Sequence, residues 1–287
     1  MQVSLLQCQS SRSVIENLAF IESQLKLLPQ QDDNQQLVVL PECCLLFGGQ
    51  ESQQLEYATD ELHSQLKLDL AALALKYSVV LVAGSIPILA EDGRIYNRCY
   101  VFDTDASVLG CYDKLHLFDV EVSDGTKQYR ESDAFCPGKH ITVVDTPFGK
   151  LGLAICYDIR FADLFRALRE AGAEIIALPA AFTKVTGEAH WQVLLQARAI
   201  ETQCFVLAAA QWGVHNNGGR ETWGQSMIVS PWGDILAQKP TGTGWVNAEL
   251  NMCDLHAVRQ KMPIIDHNRF KSPQLNQSCL ASKAQVD

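Results

Sequence analysis

The chain has 287 residues, 47% of them hydrophobic and 20% charged, enough to bury a large core in one large or two small domains. Its formal net charge of −10 argues against a nucleic-acid partner, which calls for a basic face. No apolar run reaches membrane-spanning length, and Met-Gln-Val-Ser-Leu-Leu-Gln-Cys at the start lacks the basic region and long apolar core of a secretory signal.

Strand and helix patterns alternate along the whole chain. Val3–Leu6 reads as a short apolar strand. Val14, Leu18, Ile21, Leu25 and Leu28 stripe a first helix stopped by Pro29, and Gln30–Gln36 is a polar loop. Leu37–Leu40 is a buried strand ended by Pro41. Leu62, Leu66, Leu70, Leu73 and Tyr77 predict a second helix, followed by the apolar strand Val79–Ala83. Asn97–Phe102 and Val108–Tyr112 read as a strand pair, and Thr142–Val144 and Leu151–Ile155 flank a turn at Pro147-Phe148-Gly149-Lys150. Phe161, Leu164, Phe165 and Leu168 mark a helix ending near Gly172, a natural left-handed cap. The strand Ile175–Leu178, a helix carrying Trp191, Leu194, Leu195 and Ile200, and the strand Phe205–Ala209 come next. Met227–Val229 and Ile235–Gln238 form a hairpin around Pro231-Trp232-Gly233-Asp234, and Val246–Leu250 is the last sheet strand. No linker or repeat interrupts this order. The reading is one α/β domain over 1–270 with a polar C-terminal tail over 271–287. The hairpins exclude a purely parallel sheet. Two mixed sheets packed face to face, with helices outside, account for strands that are apolar along their whole length.

Ten cysteines stand at 8, 43, 44, 99, 111, 136, 156, 204, 253 and 279, with no Cys-x-x-Cys pair and hence no tetrahedral zinc spacing. Scattered reduced thiols without a signal peptide point to the cytoplasm. Cys156 differs from the rest by its place, at the corner between an apolar strand and a helix. Such a turn lifts the sulfur out of the sheet, faces it with backbone N–H groups and favours the thiolate. Glu42 and Lys114 share that design, each standing after an apolar strand. Reaction sites of α/β proteins lie outside the carboxyl ends of strands. Taken singly, each has a plainer reading: a buried small hydrophobe, a solvated loop carboxylate, a surface lysine paired with Asp113. Together they supply a base, a nucleophile and an oxyanion stabiliser. His116 and His190 lie beside these segments; His190 reads as a structural hydrogen-bonder, and His63, His140, His215, His256 and His267 as surface residues without metal-ligand spacing.

L-V-V-L-P-E at 37–42, Y-D-K-L-H-L-F-D-V-E at 112–121 and G-L-A-I-C-Y-D-I-R-F at 152–161 resemble the three signatures of the nitrilase superfamily of carbon–nitrogen hydrolases. R-E-S-D-A-F-x-P-G at 130–138, T-G-E-A-H-W at 186–191, A-R-A-I-E at 197–201 and S-P-W-G at 230–233 extend the likeness over about residues 1–270. The resemblance implies an αββα sandwich, no metal or organic cofactor, and a catalytic triad of Glu42, Lys114 and Cys156. It implies a supporting role for Glu131, with Glu121 ranked lower because no S-D-x-F pattern follows it. The implied chemistry is hydrolysis of a linear amide through a cysteine thioester. Glu42 takes the thiol proton, the sulfur attacks the carbonyl, Lys114 and the Tyr157 N–H hold the oxyanion, and Glu42 then protonates the departing nitrogen and activates water.

The segment from Ala180 to His215, particularly A-A-A-Q at 208–211, resembles the branch of nitrilase-like amidases acting on deaminated glutathione. That branch implies α-ketoglutarate and cysteinylglycine as products. A carboxylate substrate needs cationic or N–H donors, for which Arg160, Lys184 and Arg198 are available, and Phe182, Thr183 and Thr186 are expected to line the pocket. The alternatives are an ω-amidase or N-carbamoyl amide hydrolase with the same triad, or a non-catalytic binding protein of the same fold. The resemblance also implies a homodimer or larger homo-oligomer packed through helices near the Cys156 corner, the apolar helix 161–171 among them.

Overall fold

Strands that are apolar on both faces need cover on both faces, and that requirement sets the layers. The computed structural model describes residues 1–29, 36–49, 51–122, 128–215, 220–271 and 273–275. In chain order the first half runs β1 (Gln2–Gln7), α1 (Val14–Leu25), β2 (Gln36–Val39), α2 (Gln65–Tyr77), β3 (Val79–Val82), β4 (Ile86–Leu89), β5 (Ile95–Phe102), β6 (Val108–Asp113), β7 (Asp119–Glu121) and β8 (Gln128–Arg130). The second half runs β9 (Val143–Thr146), β10 (Gly149–Leu153), α3 (Ala162–Glu170), β11 (Ile175–Ala177), α4 (Lys184–Thr202), β12 (Phe205–Ala208), β13 (Trp212–His215), β14 (Arg220–Trp223), β15 (Ser226–Val229), β16 (Ile235–Lys239) and β17 (Gly244–Glu249), then the helices α5 (Met252–Lys261) and α6 (Ile264–His267).

Two large mixed sheets result. The first has the order β17-β1-β2-β3-β5-β4, with β6 also paired to β5; the second has the order β16-β15-β12-β11-β10-β9. Each has a parallel centre, β1-β2-β3 in one and β10-β11-β12 in the other, flanked by antiparallel strands. Leu5, Val39, Val82 and Val101 of the first sheet share one core cluster with Leu153, Ala177 and Val206 of the second, together with Phe165 of α3 and Trp191 and Leu195 of α4. The alternate residues of the first sheet, Leu6, Val38, Leu81 and Tyr100, pack with Ile21 and Leu25 of α1 and Leu70 and Leu73 of α2. Each fully buried Leu, Val or Phe contributes roughly 1.5–3 kcal/mol of transfer free energy. The arrangement is the αββα sandwich expected from the sequence.

Local details depart from the expected elements for identifiable reasons. Leu62 is 86% exposed. Ser64 caps α2 by accepting the Lys67 N–H, so the helix starts one turn later than the apolar stripe suggested. Ile200 is exposed, because the buried face of α4 runs through Trp191, Leu195, Arg198, Ala199 and Thr202. The strand β4 was unforeseen; it carries Pro87, which an edge strand tolerates. Leu151–Ile155 is not one strand running into a helix. β10 stops at Leu153, Cys156 opens a 3-10 turn over Cys156–Arg160, and α3 begins only at Ala162. Of the polar loop Gln30–Gln36, residues 30–35 lie outside the described residues, as do 272 and 276–287 of the tail.

At one end of the sandwich the two sheets are joined. Cys8, at the end of β1, bridges Gln211, just past β12, and Ala180, past β11, bridges Ala210. The Trp212 N–H donates to the Cys8 carbonyl at 2.8 Å. Glu42, Cys156 and Ala181 follow parallel strands at this same end.

Candidate active site

Each of the three reactive side chains sits on backbone that its neighbours hold in place. Glu42 follows Pro41, whose carbonyl approaches Gly84 so closely that a Cβ there would lie 2.1 Å from the oxygen; Gly84 has φ +60°. The Glu42 carbonyl accepts from Gln211 Nε2 at 3.0 Å, and the next N–H, of Cys43, donates to Ser85 Oγ at 2.9 Å. Lys114 directly follows β6: its N–H donates to Asn97 O at 3.1 Å and its carbonyl accepts from Gly138 N at 2.9 Å. Cys156 adopts φ +46°, a left-handed conformation that costs a non-glycine residue about 1–3 kcal/mol, and its N–H donates to Pro179 O at 2.9 Å.

Asp158 makes that turn possible. Its carboxylate is fully buried and accepts from the Ile155 N–H at 2.8 Å, the Tyr112 hydroxyl at 2.7 Å and the His116 N–H at 3.1 Å; His116 Nδ1 lies at 2.7 Å. Four donors satisfy a buried charge that would otherwise be very costly. The same contacts tie the cysteine turn to the chain on both sides of Lys114. On the far side of the turn, Arg198 Nε donates to Ile159 O at 2.7 Å.

The side chains converge. Lys114 Nζ donates to Glu42 Oε1 at 2.9 Å and to both Glu131 oxygens at 2.9 Å. Glu42 Oε1 also accepts from Asn97 Nδ2 at 2.9 Å, and Oε2 from the Ala181 N–H at 2.9 Å. Glu131 Oε2 accepts from the Phe118 N–H at 2.6 Å. All three charged groups are buried. Glu42, Lys114 and the Ala181 N–H are the polar neighbours that act on the Cys156 thiol. Burial and the Glu42 charge hold this thiol well above its usual pKa, and Lys114 and the Ala181 N–H only partly oppose them. Burial pulls Lys114 down, but Glu131 and Glu42 more than offset it, so the amine stays charged far above neutrality. The resting site therefore holds a protonated thiol beside a carboxylate able to take its proton. Cys156 opens a 3-10 turn, and α3 starts six residues later, so the sulfur does not stand at the start of the helix that the sequence suggested.

A cleft with about 520 Å³ of empty space, its open mouth included, exposes these groups. Glu42, Lys114, Glu131, Cys156, Tyr157, Phe182, Thr183 and Thr186 all line it, as expected from the sequence, and the two threonine hydroxyls lie 2.8 Å apart. Arg160 does not. Its guanidinium covers the Phe182 and Tyr157 rings from outside, 5.1 and 5.8 Å from their centroids, and faces His190. Lys184 pairs with Glu221 on the surface at 2.8 Å, and the buried Arg198 serves the cysteine turn. Glu121 is exposed, whereas Glu131 reaches Lys114. His215, expected at the surface, is buried against Phe47, with Ser10 O at 3.0 Å and Thr222 Oγ1 at 2.8 Å. Among the described residues no group of three or more His, Cys, Asp or Glu side chains is placed to hold a metal ion.

Sequence reasoning missed Asn97, Phe47, Tyr129 and Arg220. Asn97 had a signal: it is a polar residue in the inward register of Ile95, Cys99 and Val101. Arg220 had a weaker one, the alternation R-E-T-W that makes β14 and pairs it with β13. Its guanidinium carbon lies 4.6 Å from the Phe47 ring centroid and 5.3 Å from that of Tyr129, in the wall of the cleft.

Residues 2–260 match the family described as carbon-nitrogen hydrolase. The chain is 44% identical over 286 residues to a deaminated glutathione amidase of Yersinia enterocolitica, covering 98% of each chain. It is 41% identical over 268 residues to a deaminated glutathione amidase of Synechocystis, covering 92% of this chain and 97% of the relative. The crystal structure of Saccharomyces cerevisiae Nit3, a member of branch 10 of the nitrilase superfamily, superposes with a TM-score of 0.81 at 32% identity, over 94% of this chain and 97% of that one.

Proposed function

The chain belongs to the carbon–nitrogen hydrolase family, and from that premise we propose that it is an amidase cleaving deaminated glutathione to α-ketoglutarate and cysteinylglycine. Glu42, Lys114 and Cys156 are the catalytic residues of this reading, with Glu131 and the Tyr157 N–H in support. The observation that carries it is the Glu42 carboxylate, which takes Lys114 and Asn97 on one oxygen and the Ala181 N–H on the other while facing the thiol. Those bonds fix the base and aim it. Glu42 accepts the thiol proton as sulfur attacks the carbonyl carbon. Lys114 and the Tyr157 N–H take the charge that develops on oxygen. Glu42 then passes the proton to the departing amine of cysteinylglycine. The thioester is hydrolysed by water that Glu42 deprotonates, and Glu131 holds Lys114 in place throughout.

The full-length similarity to amidases of deaminated glutathione supports this substrate. Among the described residues no helix is long and apolar enough to cross a membrane, and nine cysteines are free thiols, which fits a reducing compartment. The proposal includes a cytoplasmic location, one hydrolase domain over 1–270 and a homo-oligomer.

Steady-state assays with deaminated glutathione, keto-glutaramate and N-carbamoyl amino acids test the reading. Deaminated glutathione should give the highest kcat/KM, and acid quench should trap an acyl group on Cys156. A higher kcat/KM for either of the other substrates would overturn the substrate assignment.

A further inference from the structure

Glu42 accepts and returns every proton of the proposed reaction, so it matters which of its two oxygens does so. A carboxylate offers about four lone-pair positions, two on each oxygen. Oε1 accepts from Lys114 Nζ and from Asn97 Nδ2, each at 2.9 Å, which fills it. Among the described residues Oε2 accepts from the Ala181 N–H alone, at 2.9 Å, and keeps one position open. The same Ala181 N–H acts on the Cys156 thiol, so Oε2 is the oxygen on the sulfur's side. Asn97 is buried and does not reach the cleft lining. It stands on β5 opposite Pro87 of β4, and its carbonyl accepts the Lys114 N–H at 3.1 Å. One residue therefore holds the side chain of the base and the backbone of the amine.

We propose that Asn97 is a positioning residue for the general base: with Lys114 it fills Glu42 Oε1, so that the thiol proton passes to Oε2. This assignment rests on the amidase reading above and adds to it the atom that takes the proton and the residue that selects that atom. As sulfur bonds to the carbonyl carbon, the S–H bond breaks, its proton goes to Oε2 and the carbonyl π pair moves onto oxygen. When the C–N bond breaks, nitrogen keeps the bonding pair and takes the same proton from Oε2. The carboxylate is then free to take a proton from water in the second half of the reaction. The bonds of Asn97 and Lys114 to Oε1, with that of Ala181 to Oε2, keep the carboxylate from turning about its last bond, so the open position stays on the line to the sulfur. A neutral amide suits this place. It fixes Oε1 without a second positive charge, which would favour the ionised carboxylate and weaken it as a base. An apolar residue of similar size would leave Oε1 with Lys114 as its one donor and let the carboxylate turn.

Asn97→Leu and Asn97→Ser test the assignment. Asn97→Leu removes the donor in a similar volume and keeps the backbone bond to Lys114. With deaminated glutathione it should lower kcat by at least about 30-fold, the order of loss caused by a misplaced catalytic group. KM should change by less than about threefold, because Asn97 does not touch substrate. Asn97→Ser leaves a hydroxyl donor and room for a bridging water, and should recover part of kcat but not all of it. The second readout needs no substrate. Alkylation of Cys156 by iodoacetamide also requires the thiol proton to pass to Glu42, so Asn97→Leu should slow it by at least about tenfold, with Asn97→Ser between the two. Urea unfolding reports whether each variant is folded. If Asn97→Leu does not fold, Asn97→Ser carries the test, with a lower kcat at constant KM expected. Lower stability with kcat and alkylation rate unchanged would make Asn97 a packing residue and overturn the proposal. A raised KM at unchanged kcat would place Asn97 against substrate, and equal rates in Asn97→Leu and Asn97→Ser would show that no donor is needed; either result overturns it. If the wild type cleaves none of the amides while its Cys156 is alkylated in an Asn97-dependent way, the amidase reading fails and the assignment of Asn97 to the base stands.

Discussion

Two clusters of buried polar groups lie on opposite sides of the Cys156 turn. On the cleft side, Glu42, Lys114 and Glu131 set two carboxylates around one amine, and the thiol adds a group that burial and Glu42 keep protonated. Behind the turn, one carboxylate, Asp158, is surrounded by the donors of Ile155, Tyr112 and His116. Both clusters bury carboxylates, but the first leaves an excess of acid over base and the second is satisfied by hydrogen bonds. The first lines the cleft and, in the proposed reaction, faces substrate. The second is closed and holds backbone, including the left-handed residue that presents the sulfur. The difference teaches that burial of charge here serves two ends, reactivity on one side and geometry on the other.

The largest expected effects break the cleft-side cluster. Cys156→Ala should lower kcat by at least about 10⁴-fold, as for members of a unit that acts together. Its urea midpoint should stay close to wild type, because only one sulfur atom leaves the edge of a cavity. Lys114→Met should abolish turnover and also destabilise by about 3–5 kcal/mol, because two buried carboxylates are left facing each other. Urea unfolding measures the loss. Adding Glu131→Gln to Lys114→Met should recover part of the stability and none of the activity. A Lys114→Met protein as stable as wild type would show that water or a counter-ion reaches the cluster.

His215 extends the comparison to a group that is buried and neutral. Burial, with the nearby Arg220 charge, lowers its pKa from 6.5 to about 4, although the Ser10 carbonyl pulls the other way. In the unfolded chain the imidazole binds a proton near pH 6.5, so between pH 6.5 and 4 the unfolded state carries more protons than the folded one. Stability then rises with pH. The contribution is complete above pH 6.5 and is lost as pH falls toward 4, a change of about 3 kcal/mol. Thermal unfolding of wild type and His215→Gln across this range checks it. The variant should be less stable at pH 7 and should show a shallower loss on acidification. Parallel profiles would place the acid-sensitive group elsewhere.

The sequence exposes one side of the turn better than the other. Glu42, Lys114 and Cys156 were legible because each reactive residue interrupts an apolar strand pattern at its end, and the likeness to a known family supplied their grouping. The layers were legible because strands such as Val79–Val82 are apolar at every position. The cluster behind the turn was not. Asp158 and Tyr112 are separated by β7, β8, β9 and β10, and nothing in a one-dimensional pattern says that a hydroxyl on one strand meets a carboxylate in a later turn. The corner itself was misread for a related reason. The apolar spacing after Cys156 is helical only from Phe161 onward, and the 3-10 turn before it is held by Asp158 rather than by periodicity. Arg220 escaped because its place in the cleft wall is set by Phe47 and Tyr129, which come from distant segments.

The smallest effect tests the rear cluster most directly. Tyr112→Phe removes one hydroxyl that donates to Asp158 at 2.7 Å and accepts from the Leu115 N–H at 3.2 Å. Asp158 keeps three of its donors, while the Leu115 N–H loses its acceptor. A hydrogen bond to a buried charge contributes roughly 1.5–3 kcal/mol, and the retained donors place the expected loss at about 2 kcal/mol. Because Cys156 remains tied through Ile155 and Pro179, kcat should fall less than about tenfold, far short of the loss on changing a group that exchanges protons with substrate. Paired urea titrations and single-turnover acylation rates decide the point. Lower stability with near-normal acylation keeps the two sides of the turn distinct. Unchanged stability with acylation slowed a thousandfold would mean that the Tyr112–Asp158 pair acts on the chemistry, and the division into a reactive side and a structural side would have to be given up.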